Sequence, residues 1–395
     1  MRPEDFRILL VGAGRNWSKT VHAAAKAVGL DALDAVASGR EAIGRIVTAE
    51  RPYSHVLVQA SASDGLLDEL HGLTSGEPGS STALILLGAS RRMLSRIPQI
   101  ALPDARSVAE ALRPRKTAIA GVSPEIDDID FPDAFARSMI EVRFQPIVRL
   151  ADGACVCLEA LARLNHPTHG VLPPIRFVPQ IEDAGLGGDL TRAMTSLVVA
   201  ELAGTALRAQ ELTVALNVPL DVILDPGRMA GLDAMRATAG VPRERIVLEL
   251  TESRPVSDLP GLSRAIERLR VAGYGVAIDD LSPGMPHPFA LLNLPFSAVK
   301  LDIAVIRDMH LRDGAVFLVE AIRAAKASGA TVVAEGVEDE ATWHGLADLG
   351  VDQVQGFMVS RALPAAALPV WLQTWPERRP QLAGTLRGMP DQTSR

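Results

Sequence analysis

The stretch that decides the fold of this chain is Tyr274-Gly-Val-Ala-Ile-Asp-Asp280. Its apolar residues predict a buried strand, and that strand ends in two adjacent carboxylates. Because neighbouring residues of a strand point to opposite faces, we expect that Asp279 and Asp280 do not share one core pocket. An ionised carboxylate buried without a partner costs on the order of several kcal/mol. A cation, a basic residue or open water must therefore compensate these two side chains.

Short apolar runs alternate with longer helical segments on both sides of this stretch. The runs cover residues 143–148, 154–161, 213–218, 246–250, 274–279, 298–301, 331–335 and 353–357. About eight strands with helices between them, over roughly 240 residues, fit a (β/α)8 TIM-like barrel in size and rhythm. Barrels of this kind gather their chemistry at the C-terminal ends of the strands.

Acidic and amide side chains stand at the ends of most of these predicted strands. They are Glu159, Asn217, Glu249, Glu252, Asp279, Asp280, Glu335, Glu338 and Gln355, with Lys300 as a cation among them. Carboxylates that converge on one mouth repel each other, and divalent cations bound through oxygen atoms relieve that repulsion. Two such ions, about 3.5–4 Å apart, would polarise a phosphodiester and activate a water molecule. The residues therefore predict a metal-dependent phosphodiesterase or a related hydrolase, which the fold alone would not justify.

The first hundred residues carry a separate pattern. Predicted strands at 6–12, 32–37, 55–59 and 83–88 alternate with helices, which indicates a doubly wound parallel sheet with helices on both faces. The order of elements, the segment Ala37–Ile43 and Asp64-Gly65 resemble the receiver domain of response regulators. The positions that such a domain uses for metal binding and phosphorylation carry Gly12, Ala13, Gln59, Gly88 and Leu102.

A working receiver needs an acidic pair that holds a metal ion and an aspartate that accepts the phosphoryl group. Because this chain lacks both, the resemblance implies a flavodoxin-like pseudo-receiver that phosphorylation cannot switch. We expect it to act in dimerisation or in docking a protein partner. A competing dinucleotide-binding interpretation of Gly12-Ala-Gly14 lacks the third glycine of that motif. The predicted domains are a pseudo-receiver at 1–112, a linker at 113–132, a barrel at 133–375 and a disordered tail at 376–395.

Composition excludes several classes of function. The 395 residues carry a formal net charge of -7, which argues against binding to DNA. The sequence has no apolar run of about 18 residues and no secretory signal at its start, so we expect a cytoplasmic protein that does not bind membranes. Cys155 and Cys157 are expected to be buried thiols rather than metal ligands or a redox pair.

Ordered motifs over about residues 134–375 resemble the EAL domain family, the cyclic di-GMP phosphodiesterases. They are Phe144-Gln-Pro-Ile147, Glu159-Ala-Leu161, Asn217-Val218, Glu249-Leu-Thr-Glu252, Ala277-Ile-Asp-Asp280, Lys300-Leu-Asp302, Val333-Ala-Glu-Gly-Val-Glu338, Gln355-Gly-Phe357 and Ser360-Arg-Ala-Leu-Pro364. The resemblance implies hydrolysis of cyclic di-GMP to linear pGpG with two Mg²⁺ or Mn²⁺ ions. It also implies a homodimer formed through the barrel.

The resemblance also implies a role for each matching residue. Metal ligands would be Glu159, Asn217, Glu249, Asp279, Asp280 and Glu335, and Asp280 would bridge two ions or hold the attacking water. Lys300 would orient that water and stabilise charge on the phosphate, Glu335 could act as a base, and Gln355 would hold the water or the outer shell. Gln145 and Arg163 would contact the dinucleotide, and Glu252 would anchor the loop after the two aspartates. His166 and His169 are possible further ligands, with a structural role the preferred interpretation for His166.

That loop is where the chain departs from the family. The family pattern Phe-Gly-Thr(or Ala)-Gly-Tyr-Ser-Ser is replaced by Leu281-Ser-Pro-Gly-Met-Pro-His287, in which Pro283 removes a backbone donor. Ile303 stands where an arginine is usual. Three interpretations therefore remain open: an active hydrolase, a cyclic di-GMP receptor with little turnover, and a protein-interaction scaffold.

Overall fold

The structure is a computed structural model. It describes residues 7–12, 15–27, 33–47, 49, 53–59, 70, 83–87, 99–100, 108, 112, 129–167, 169–251, 256 and 258–380. The described residues fall into two compact units. The residues of one unit fall within 1–144, 160–210 and 361–374, and those of the other within 145–159, 211–360 and 375–395.

The N-terminal residues form a five-stranded sheet. Its strands are β1 (Ile8–Val11), β2 (Leu33–Val36), β3 (His55–Gln59), β4 (Ala83–Leu87) and β5 (Gln99–Ile100). All neighbours pair in parallel, in the order β2-β1-β3-β4-β5, which is one of the two common orders of doubly wound sheets. Two helices, Arg15–Ala27 and Gly39–Val47, follow β1 and β2.

The core of this sheet explains its parallel pairing. Every residue of β1 is buried, as expected for a strand covered on both faces, and Ile8 and Leu10 pack with Val21 and Ala24 of the first helix. The predicted strands agree with β1 to β4 to within about two residues at each end, whereas β5 was not predicted. Gly12 follows β1 with a positive φ of 74°. Among the other predicted receiver positions, Gln59 ends β3, while Ala13, Asp64, Gly65, Gly88 and Leu102 lie outside the described residues.

A second sheet closes on itself. It contains β6 (Ile140–Arg149), β7 (Cys155–His166), β8 (Gly170–Leu172), β9 (Thr213–Pro219), β10 (Ile246–Thr251), β11 (Gly275–Leu281), β12 (Ala298–Leu301), β13 (Thr331–Ala334) and β14 (Gln353–Val354). The order is β6-β14-β13-β12-β11-β10-β9-β7-β8, and β6 also pairs with β7. Eight strands thus form the predicted TIM-like barrel, with β8 added beside β7.

One strand departs from the parallel arrangement of a regular (β/α)8 barrel. From β9 to β14 all neighbours are parallel, but β6 is antiparallel to β14. A turn over residues 150–154 joins β6 to β7 in place of a helix, and Gly153 in that turn has a φ of 65°. A connection this short reverses the direction of the chain, so β6 runs against β14.

Helices separate most of the other barrel strands. The α-helices are Phe131–Ala136, Val178–Asp183, Gly187–Ala203, Thr205–Arg208, Leu220–Leu224, Pro226–Thr238, Leu259–Val271, Pro288–Leu291, Ile303–Arg307, Arg312–Ala327, Glu340–Asp348 and Leu368–Arg378, and the 3₁₀ helices are Pro174–Arg176, Arg243–Arg245, Asp308–His310 and Ala365–Ala367. In the part of the chain that the structure describes, no helix has the length and apolar character needed to cross a membrane.

Two helices lie at the predicted ends of the barrel. The first, Phe131–Ala136, begins two residues before the predicted boundary at 133, because the Asp130 side chain caps it and Pro132 suits its first turn. At the other end, helix Leu368–Arg378 continues into the segment predicted as a disordered tail from residue 376. Residues 381–395 lie outside the described part of the chain.

Candidate active site

One buried lysine joins four carboxylates of the barrel. Nζ of Lys300, on β12, lies 2.7 Å from Glu335, 2.9 Å from Asp279, 3.2 Å from Glu249 and 3.4 Å from Glu159. Only 1% of the lysine is exposed. The structure therefore brings together five of the residues that the sequence predicts for the site.

Strand register explains why these side chains meet. Glu249 of β10 pairs in register with Asn217 of β9 and with Ala277 of β11. Asp279 lies two residues beyond Ala277, and side chains two apart on a strand share a face. Asn217 donates from Nδ2 to Oε1 of Glu159 at 3.2 Å, so it belongs to the same cluster.

A bulge brings the second aspartate of the pair into the site. The register between β11 and β12 shifts between Ile278 and Leu281, and Asp280 has a left-handed φ of 52°. One carboxylate oxygen each from Asp279, Asp280 and Glu335 lie within 4.8 Å of one another. The two aspartates therefore do not share one core pocket, since Asp279 is buried and Asp280 is exposed, but the bulge, which inserts an extra residue, still lets both carboxylates reach one group.

The cluster carries more negative charge than its lysine can balance. Burial raises the pKa of Glu249 and of Glu335 well above the ordinary value, and the neighbouring carboxylates raise both further. Desolvation, then Asp279 and Asp302, raise the pKa of Asp280 to about 7. Burial opposes ionisation of Glu159 too, but Lys300 and the hydrogen bonds from Gln355 and Asn217 hold its pKa below the ordinary value.

The donor atoms fit divalent cations. Two overlapping groups could each hold an ion, namely Glu159, Glu249 and Asp279, and Asp279, Asp280 and Glu335. With these five carboxylates ionised and one ammonium beside them, four negative charges remain, which two divalent ions would neutralise. In addition, Oε1 of Gln355 is buried without a hydrogen-bond partner among the described atoms. Oxygen ligands of this kind suit Mg²⁺, Mn²⁺ and Ca²⁺.

Two glutamines form one edge of the cluster. Nε2 of Gln355 donates to Oε2 of Glu159 at 2.5 Å and to Oε1 of Gln145 at 3.0 Å. Nε2 of Gln145 in turn donates to the carbonyl oxygen of Ser360 at 3.0 Å. Gln355 thus lies beside the candidate ligand Glu159 and Gln145 beside Gln355, while the predicted roles of both glutamines stay predictions.

The remaining predicted residues have other contacts among the described residues or lie outside them. Arg163 is buried in the other compact unit, where Nη1 donates to the carbonyl oxygen of Ala162, so its contact with the dinucleotide stays a prediction. Glu252 lies outside the described residues, and its loop-anchoring role is likewise untested. The ring centroids of His166 and His169 lie 4.7 Å apart, with the ring planes tilted by 34°, at the β7–β8 turn. Cys155 and Cys157 are free thiols.

An open cavity of about 330 Å³ leads to the cluster. It is lined by Gln145, Glu159, Asp279, Asp280, Ile303, Glu335, Gly336, Glu338, Gln355, Gly356 and Phe357. Phe357, which is 48% exposed, and the two glycines had no predicted role. A signal was available, because each glycine directly follows a polar residue at a strand end.

Known proteins resemble this chain over the barrel region. A family model described as the EAL domain matches residues 129–362, which is more than half of the chain. The Pseudomonas aeruginosa proteins named cyclic di-GMP phosphodiesterase RocR and cyclic di-GMP phosphodiesterase NbdA are 29% and 33% identical over 252 and 247 residues. The two matches cover 64% and 61% of this chain and 64% and 31% of those proteins. The chain therefore spans less than two thirds of the length of either relative.

Solved structures agree with the barrel. One described as "PaMucR Phosphodiesterase, c-di-GMP complex" has a TM-score of 0.56 and 27% identity, covering 60% of this chain and 98% of that chain. An EAL domain protein from Listeria monocytogenes has a TM-score of 0.54 at 24% identity, covering 62% of this chain and 97% of that chain, and shows the fold alone.

Proposed function

The chain belongs to the EAL domain family, and on that premise we propose that it is a metal-dependent phosphodiesterase that hydrolyses cyclic di-GMP to pGpG. The observation that carries the proposal is the cluster of five carboxylates around Lys300, which opens into a cavity. Relatives named cyclic di-GMP phosphodiesterases and a related phosphodiesterase described as a cyclic di-GMP complex support the choice of substrate.

In this proposal two divalent ions, Mg²⁺ or Mn²⁺, are held by Glu159, Asn217, Glu249, Asp279, Asp280 and Glu335. Bound ions would polarise the phosphodiester and make a water molecule more acidic. The neighbouring carboxylates raise the pKa of Lys300 well above its ordinary value, against the effect of burial. Its ammonium therefore stays charged and stabilises the negative charge that develops on the phosphate.

Proton transfer and orientation fall to the remaining residues. Water attacks one phosphorus, the bond to the 3′ oxygen breaks, that oxygen takes up a proton from solvent, and the linear product keeps a 5′ phosphate. Glu335 lies in one group with Asp279 and Asp280 and would accept the proton of the water as a general base. Gln355 and Gln145 hold each other beside Glu159 and would orient the water and the substrate.

Incubation of the purified protein with cyclic di-GMP and Mg²⁺ or Mn²⁺, followed by chromatography of pGpG, tests this function. We expect turnover that depends on the metal ion and disappears in Glu159→Ala. Glu320→Ala removes an exposed glutamate from helix Arg312–Ala327 and serves as the matched control. Absence of pGpG from the wild-type protein with either ion would refute the proposal.

A cyclic di-GMP receptor with little turnover is the second candidate, and the altered loop after Asp280 favours it. In this loop Pro283 lacks an amide donor, and His287 has a left-handed φ of 55°, which a non-glycine residue rarely adopts. Saturable binding of cyclic di-GMP without product would support the receptor. Neither binding nor product would leave the scaffold interpretation.

We propose that the barrel forms a homodimer. Apolar side chains on the helices that follow the altered loop support this proposal: Phe289, Val316 and Val319 are 38%, 53% and 38% exposed. Burial of such a patch favours association. Sedimentation of the wild-type protein and of Val316→Asp measures it, and a change from dimer to monomer is expected.

The N-terminal residues 1–112 are proposed to form a pseudo-receiver that docks a protein partner or a second copy. The parallel order β2-β1-β3-β4-β5 and Gln59 in the place of an acceptor aspartate support the proposal. We expect no phosphorylation by acetyl phosphate. Removal of residues 1–112 should change oligomeric state or activity, and unchanged behaviour in both would contradict the docking role.

A further inference from the structure

The helix Gly39–Val47, which follows β2, has a fixed start. The amide of Glu41 donates to Oγ of Ser38 at 3.2 Å, and the carboxylate of Glu41 accepts from the amide of Ala37 at 2.8 Å. Bonds of this kind between a serine and a glutamate three residues later cap a helix at its N-terminus. Ile43 is buried, and the helix lies against β1. The helix is therefore held on the N-terminal sheet.

Gly44 lies inside this helix, where glycine is less stable than alanine and usually has a packing reason. An added Cβ on Gly44 would lie 3.6 Å from Cγ1 of Val370, so there is room for a methyl group but for little more. The helix also lies against the 3₁₀ helix Ala365–Ala367, whose side chains are all small. These residues belong to one compact unit. The close approach of the helix to the segment 365–370 therefore explains the glycine.

The residues just before that segment pair with β6. The amide of Leu363 donates to the carbonyl oxygen of Phe144 at 2.8 Å, and the amide of Phe144 donates to that of Leu363 at 2.7 Å. Both side chains are buried, and we refer to this pair of hydrogen bonds as the backbone bridge. Gln145 directly follows Phe144 in the chain, and its Nε2 donates to the carbonyl oxygen of Ser360 at 3.0 Å. The chain after β14 therefore holds Phe144 by its backbone and Gln145 by its side chain.

We propose that the helix Gly39–Val47 stabilises the backbone bridge by packing on Val370, which makes Gly44 and Val370 positioning residues for Gln145. The proposal rests on the proposed function, in which Gln145 orients the substrate. Coupling between distant residues requires an element with two arrangements. Here the two arrangements are the helix docked on Val370, with the bridge closed, and the helix undocked, with the bridge and the glutamine free to move.

A pair of cysteines tests the contact itself. Because an added Cβ at position 44 lies 3.6 Å from Cγ1 of Val370, the Cβ atoms of the two positions are at most about 5 Å apart, close to the distance that a disulfide spans. We expect the double variant Gly44→Cys and Val370→Cys to form a disulfide under mild oxidation, seen as a shift in gel mobility. Each single variant controls for the native thiols Cys155 and Cys157 of β7. Absence of the cross-link would overturn the proposal.

Amide hydrogen exchange tests whether the contact stabilises the backbone bridge. Gly44→Trp should undock the helix, because only a methyl group fits beside Val370, and Val370→Asp should undock it from the opposite side. Gly44→Ala is the matched control, since its Cβ fits. We expect both undocked variants to exchange the amides of Phe144 and Leu363 about tenfold faster or more, and the control to exchange them at the wild-type rate. Unchanged exchange at both amides in the undocked variants would overturn the proposal, whether or not the protein has turnover.

Hydrolysis of cyclic di-GMP tests the link to Gln145. Gly44→Trp should lower kcat/KM about tenfold, mainly through KM, because the substrate is then oriented less well. In a Gln145→Ala background the same substitution should have no further effect, whereas independent effects multiply. A full tenfold loss in that background would overturn the positioning role. If the wild type has no turnover, the proposed function fails and affinity for cyclic di-GMP in Ca²⁺ decides the positioning role by the same comparison, and absence of any binding refutes both.

Discussion

The backbone at Asp280 offers a direct test of how the metal cluster is assembled. Its φ of 52° disfavours most side chains but suits glycine, and asparagine and aspartate tolerate it better than others do. We consider Asp280→Gly, Asp280→Ala and Asp280→Asn, each measured by urea and thermal unfolding in EDTA. All three remove one negative charge, so differences among them report the backbone.

The expected difference between the glycine and alanine variants follows from two opposing effects. A left-handed conformation costs alanine about 1–2 kcal/mol, whereas glycine loses about 0.4–1 kcal/mol through the greater freedom of its unfolded chain. Asp280→Gly should therefore be more stable than Asp280→Ala by about 1 kcal/mol. For a domain of 150–250 residues this corresponds to about 2–4 °C in Tm.

The asparagine variant tests the charge. The pKa of Asp280 is raised from 3.8 to about 7, so folding favours its protonated form. The stability that this gives the wild-type protein is fully present below about pH 3.8 and is lost as the pH rises through about 7. Asp280→Asn, which cannot ionise, should therefore gain stability relative to the wild type between pH 4 and pH 8.

A helix position provides the control for the backbone argument. At the exposed Glu320, alanine should be more stable than glycine by about 1 kcal/mol, since an ordinary helix interior disfavours glycine. The preference is thus opposite in sign to the one expected at Asp280. If Asp280→Ala proves as stable as Asp280→Gly, the left-handed conformation is wrong, and with it the bulge that brings both aspartates together.

Three further predictions follow from other contacts. Asp233→Asn should lower the free energy of unfolding by about 2–3 kcal/mol, because Asp233 accepts hydrogen bonds from Arg243 and from the Tyr274 hydroxyl at 2.6 Å each. The pKa of Asp233 is lowered by these contacts, so denaturant unfolding should show the full difference above about pH 4 and a smaller difference in more acidic buffer. Gly336→Ala should cost about 2–4 kcal/mol in urea unfolding, since Gly336 has a φ of 68° and contacts Ile303, and Ile303→Ala should recover part of the loss. Mg²⁺ at one hundred times its Kd should raise the free energy of unfolding, measured by calorimetry, by about 2.7 kcal/mol. This gain should be smaller at pH 5 than at pH 8, because protons compete with the ion for the carboxylates.

The sequence predicted the cluster well because strand ends converge in any parallel barrel. Glu159, Glu249, Asp279, Lys300 and Glu335 each stand at or near the end of an apolar run, and strand periodicity is enough to place them on one face. The ion contacts of Lys300 confirm that convergence. No knowledge of loops or side-chain conformation was needed.

The features that could not be predicted from the sequence depend on backbone geometry that periodicity does not encode. The bulge at Asp280 lies in the run Gly275–Leu281, in which three consecutive apolar residues precede two acids, and these residue types do not distinguish a bulge from a straight buried strand. The reversed direction of β6 depends on the length of the turn around Gly153 and on its pairing with β14. Phe357 reads as one apolar residue among many, and only the cavity shows its exposed ring.

The position of the bulge bears on whether the altered loop disables the site. The residue after the bulge, Leu281, is fully buried, is level with Leu301 of β12, and accepts at its carbonyl oxygen from the amide of Asp302 at 3.2 Å. Asp280 is thus positioned by a buried strand pairing, while the changes from the family pattern are concentrated in the residues that follow. Because Leu281 remains large and apolar where the family has phenylalanine, this pairing does not depend on the loop. We therefore expect the loop to affect substrate access and dimer contacts rather than the arrangement of the carboxylates, which favours the hydrolase over the receptor.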